Sequence, residues 1–155
     1  MNANEIRQKY IGLQTKLKQS AEEIKLFGDY SCLFLCLCSI AEEYNESHHN
    51  QRRVDILADY IACRSKGWIG DEFFVKDSPA ILSYLTGAKW ERKMSEKLPD
   101  TIPENMYTVE RWYNSKTKFT HFRRRWGDTI VDSNTVRNGK LTQYYLFTAD
   151  YAVRG

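Results

Sequence analysis

The chain has 155 residues, 42% hydrophobic and 28% charged, a mix that fits one folded domain and excludes a disordered or collagen-like polymer. Its net charge of +3 is unevenly spread: residues 1–110 sum to −3 and residues 111–155 to +6. No apolar run approaches the roughly 18 residues of a membrane span, and the first residues lack the pattern of a secretory signal. The reading is a soluble, cytoplasmic chain with no membrane partner.

Residues 3–26 repeat Ile6, Tyr10, Leu13, Leu17, Ile24 and Leu26 at roughly helical intervals, and Gly28 can end that helix. Asp29 or Ser31 can cap the next one, from about Cys32 to Tyr44. That segment is apolar on nearly all sides, so it is expected to be the buried central helix. A polar exit over Asn45–Arg53 carries His48 and His49. A third helix is expected over 52–64, burying Val54, Leu57, Ala58, Ile61 and Ala62. Trp68–Val75 mixes turn and extended signals. A fourth helix runs from Pro79 to Thr86, with Pro in its first turn and Gly87 at its end.

The period then changes. Residues 88–94 read as a strand, Pro99 and Pro103 bracket a loop, and Met106–Tyr113 is extended. Residues 118–126 turn at Trp126-Gly127-Asp128 and return through Thr129–Val131 as a hairpin. Asn138-Gly139 signals a second hairpin before a last strand over Leu141–Phe147. Helices first and strands after give an α+β domain, helical over 1–87 and sheet-forming over 88–155.

Four cysteines stand at 32, 36, 38 and 63. Three of them crowd one buried helix, and a reducing compartment keeps such thiols unpaired. The spacing lacks the close ligand pairs of a structural zinc site, and no cofactor motif is present. Cys32 has a placement suited to chemistry, because a helix N-terminus offers unpaired N–H groups to a nucleophile. His121 opens the run His121-Phe122-Arg123, and Asp132 follows the return strand. A hairpin turning at Gly127 is expected to bring 121 and 132 close enough for a carboxylate to orient an imidazole.

A helix-initiating Cys32, the Thr120-His121-Phe122 strand, a glycine turn and the Val131-Asp132-Ser133 strand end together resemble the papain-like cysteine peptidases. The compact bacteriocin-processing branch, and small phage and plasmid proteins of that shape, look nearest. The resemblance implies a papain-like fold and a thiol hydrolase that cleaves an amide or isopeptide bond. Cys32 would be its nucleophile, His121 its base and Asp132 the residue orienting His121. The family places a glutamine shortly before the nucleophile to bind the oxyanion; residues 25–31 contain none. An inactive, protein-binding member of the same fold is therefore a second reading. A third takes Arg123, Arg124 and Arg125, with Lys118, as an anion-binding strand for nucleic acid, against the alternative of a solvated edge strand. The expected partner is a protein or peptide, with nucleic acid second.

Overall fold

The computed structural model describes residues 2–12, 15, 32–131 and 139–150. Among the described residues four helices and five strands follow one another: α1 (3–12), α2 (Cys32–Ser47), α3 (Ile56–Ser65), α4 (Ser78–Thr86), β1 (Trp90–Ser95), β2 (Met106–Asn114), β3 (Phe119–Trp126), β4 (Thr129–Val131) and β5 (Lys140–Ala149). A 3-10 turn, Asp71–Phe73, lies between α3 and α4. The strands form one antiparallel sheet in the order β1-β5-β2-β3-β4. This is the α+β arrangement that the order of periodicities predicts. Among the described residues no helix is long and apolar enough to cross a membrane.

The central helix is buried as its composition demands. Phe34, Cys36, Leu37, Cys38, Ile40 and Ala41 are all nearly inaccessible and pack with Ile81, Leu82 and Leu85 of α4 and with Tyr107, Val109 and Phe147 of the sheet. Each large side chain so buried contributes about 1.5–3 kcal/mol. The helix runs three residues beyond the expected Tyr44. Asn45 accounts for the extension: it is fully buried, and its amide donates to the carbonyls of Leu85 (3.1 Å) and Arg52 (3.3 Å). A buried side chain with its hydrogen bonds met can stay in a helix that polarity alone would end.

The third helix departs from expectation twice. It starts at Ile56, because Asp55 caps it by accepting from the Ala58 N–H at 3.1 Å. It also buries a different face: Asp59, Tyr60 and Cys63 turn inward, while Leu57 and Ile61 are exposed. The carboxylate of Asp59 is matched by Arg52 at 2.9 Å, and Tyr60 stacks on Phe73 with ring centroids 4.9 Å apart. An ion pair and an aromatic stack thus decide the inward face over simple apolar count. The fourth helix matches its signals, with Asp77 capping Ala80 at 3.0 Å and Gly87 left-handed at φ 79°. Of the expected first helix, residues 3–12 are helical; Leu17, Ile24, Leu26, Gly28, Asp29 and Ser31 lie outside the described residues, as does Asn138 of the second hairpin signal.

Alternation along the strands sorts the sheet into two faces. Arg92, Tyr107, Val109, Phe122, Arg124, Tyr145 and Phe147 turn toward the helices. Glu110, Trp112, His121 and Arg123 turn away from them, paired across β2 and β3 as Glu110↔Arg123 and Trp112↔His121.

Candidate functional site

Cys32 is the first described residue of α2 and 5% exposed. It stands between two depressions. One, of about 480 Å³, lies between α2, the Arg53–Ile56 segment and the β3–β4 hairpin, and is lined by Leu35, Ser39, Glu42, Val54 and Trp126 among others. The second, of about 550 Å³, crosses the helix-facing side of the sheet from β3 to β1. Its floor takes Phe122 from β3, Arg111 from β2, Tyr145 from β5, and Arg92 and Met94 from β1; Cys32, Leu33 and the Asp71–Lys76 segment wall it.

His121 is 4% exposed but lies on the other side. Residues 121 and 124 are three apart in an uninterrupted strand, so their side chains leave opposite faces. Arg124 reaches α2: its Nη1 donates to Ser39 Oγ at 3.0 Å and its Nη2 pairs with Glu43. His121 therefore sits on the face turned away from α2, opposite Trp112 and beside Phe119, with centroids 6.4 Å apart. The expected meeting of Cys32 with His121 is corrected by this alternation, since the sheet stands between them. Asp132, the expected orienting residue, lies outside the described residues. The other two histidines follow α2 at its far end, roughly 24 Å from Cys32 at 1.5 Å per residue. His48 is occupied there, stacked on Tyr44 at 3.9 Å, with its Nδ1 2.9 Å from the Tyr44 carbonyl.

The arginine run is corrected as well. Arg123 Nε pairs with Glu110 at 2.7 Å, and its guanidinium lies 4.6 Å over Trp112. Arg124 is 3% exposed and neutralised by Glu43. Arg125 alone of the three is exposed. Lys118 precedes β3 in a left-handed turn, φ 60°, about 23 Å from Arg125 along an extended strand. Lys118 and the three arginines thus do not come together as one cationic face.

The remaining thiols belong to the core. All four cysteines are buried. Burial pushes the Cys38 thiol up, helped by Asp59, and burial with Asp59 pushes Cys63 up to about 11. Among the described residues no group of three His, Cys, Asp or Glu side chains converges as a metal site.

The groove across the sheet was not foreseen. Its shape depends on the segment between α3 and α4, closed by the Ile69↔Val75 bridge and held by Arg64 Nη1 donating to the Gly70 carbonyl at 2.6 Å. Phe73 has a left-handed backbone, φ 61°. This reversal sends neighbouring phenylalanines opposite ways: Phe73 packs inside on Tyr60, while Phe74 is 68% exposed at the groove. Gly70 leaves room for Lys76, whose Cε would lie 2.6 Å from any Cβ placed there. The adjacent Phe73-Phe74 and the apolar Met94 in a charged strand were the signals available in the sequence.

Comparison with known proteins finds no matching family model, curated protein or solved structure.

Proposed function

We propose that this chain is a protein-binding module that seats a segment of its partner in the groove across the sheet. The carrying observation is the pairing of an aromatic floor, Phe122 and Tyr145, with the outward Phe74 and Met94, which are 68% and 56% exposed. Large exposed side chains around a concave apolar surface are what an interface core offers before its partner arrives. The volume suits a few side chains of an extended peptide. A helical half followed by an antiparallel sheet that the buried helix packs against supports a papain-like architecture. The separation of Cys32 from His121 by the sheet favours binding over hydrolysis within that architecture, because a nucleophile needs its base within hydrogen-bond reach.

Selection from a displayed random-peptide library against the full chain tests this reading. Enriched peptides bind the wild type and lose binding to the Phe74→Asp, Met94→Asp double variant, whose circular dichroism is unchanged. Enriched peptides that bind both forms equally, or a selection that enriches none, overturn it.

A further inference from the structure

We infer that the segment taken by this groove is acidic as well as apolar; the inference rests on the binding reading above and adds the chemistry of the partner. Three cations line the groove: Lys76 from its wall, Arg92 from β1 and Arg111 from β2. Among the described residues none of them pairs with a carboxylate. Arg92 Nη1 donates to Ser78 Oγ at 3.2 Å and its guanidinium lies 5.5 Å over Tyr145. Arg111 Nη1 donates to Thr142 Oγ1 at 2.9 Å. Both guanidinium groups are thus oriented by neutral partners, with N–H donors to spare. Asp71, also at the groove, is itself matched by Arg64 at 3.3 Å.

This differs from how the chain treats Arg123 and Arg124 of β3. Each of those two has a glutamate. The groove cations instead combine with aromatic and thioether surface, which suits carboxylates alternating with apolar side chains.

Their spacing separates a peptide from a small anion. Arg92 lies opposite Phe147 and Arg111 opposite Gln143, on the two sides of β5. Four residues along that strand and two strand spacings across it put their backbones roughly 16 Å apart. One phosphate or one carboxylate does not serve both, whereas an acidic segment of about five extended residues does.

The test uses three fluorescein-labelled octapeptides that alternate leucine and phenylalanine with glutamate, with glutamine or with lysine. The glutamate peptide binds the full chain about tenfold more tightly than the glutamine peptide, and the lysine peptide binds most weakly. Raising salt weakens the glutamate peptide alone. The Arg92→Gln, Arg111→Gln variant, folded by circular dichroism, loses the tenfold preference and binds the glutamate and glutamine peptides equally. Equal binding of the glutamate and glutamine peptides overturns the acidic preference and leaves the binding reading standing. Failure of all three to bind overturns the groove reading, and the preference with it. An oligothymidylate that displaces the glutamate peptide as well as unlabelled glutamate peptide does also overturns the inference, because the cations then serve a nucleic acid.

Discussion

Arg124 on β3 donates to Ser39 on α2 at 3.0 Å, a contact between residues 85 apart in the chain. It shows which face of β3 the central helix covers, and so where every other side chain of that strand points. Phe122 joins Arg124 beneath the helices, while His121 and Arg123 go to the other side with Trp112 and Glu110.

The same contact makes a stability prediction. Arg124 is almost completely buried, its Nη2 pairs with Glu43, and its buried Nε has no hydrogen-bond partner among the described residues. Arg124→Met leaves Glu43 without its cation, and because Glu43 keeps some solvent the cost is about 2 kcal/mol. At this chain length that lowers Tm by roughly 5 °C. Adding Glu43→Gln to Arg124→Met recovers part of the loss, since the uncompensated charge is gone. Thermal denaturation of the wild type, both single variants and the double variant reads the coupling.

Asn45 fastens the end of α2 to two other parts of the chain. Its amide serves the Leu85 and Arg52 carbonyls, and its Oδ1 accepts from Asn50 at 3.0 Å. Asn45→Leu strands these groups in the interior and costs about 2–3 kcal/mol by urea denaturation. Asn50→Ala removes the donor to Asn45 Oδ1 and the Thr86 carbonyl and the acceptor for the Arg52 N–H, at a less buried position, and costs about 1–2 kcal/mol.

The buried thiols predict an alkaline limit to stability. Cys63 is held protonated to about pH 11 by burial and Asp59, and Cys38 is shifted the same way. In the unfolded chain these thiols ionise near their ordinary value of about 8.5. Between the two values the unfolded state binds fewer protons, so stability is fully present below about pH 8.5 and falls as pH rises toward 11. Tm measured from about pH 8 to pH 10.5 drops less steeply in a Cys38→Ala, Cys63→Ala variant than in the wild type. Equal slopes contradict this.

Much of the fold could be read from local chemistry. Asp77, Pro79 and Gly87 bound α4 through their own backbone preferences, and the all-apolar stretch from Cys32 identified the buried helix. What escaped depended on partners distant in sequence. Asp59 and Tyr60 turn inward because Arg52 and Phe73 are there to meet them. The site was misread at a point where the sequence did contain the answer. In His121-Phe122-Arg123-Arg124, alternation lets only one of His121 and Phe122 face the helices, and the large apolar ring is the better occupant of a core. The groove was less legible, since it gathers residues from four separate regions, 32–33, 71–76, 92–94 and 111–145.

The most direct test is the rate at which Cys32 is alkylated by iodoacetamide at neutral pH, followed by peptide mass spectrometry so that Cys32 is read apart from the other thiols. A sheet standing between thiol and imidazole predicts the same rate in the wild type and in His121→Ala, provided circular dichroism shows both folded. A rate lowered tenfold or more by His121→Ala would place the imidazole beside the sulfur and contradict the account.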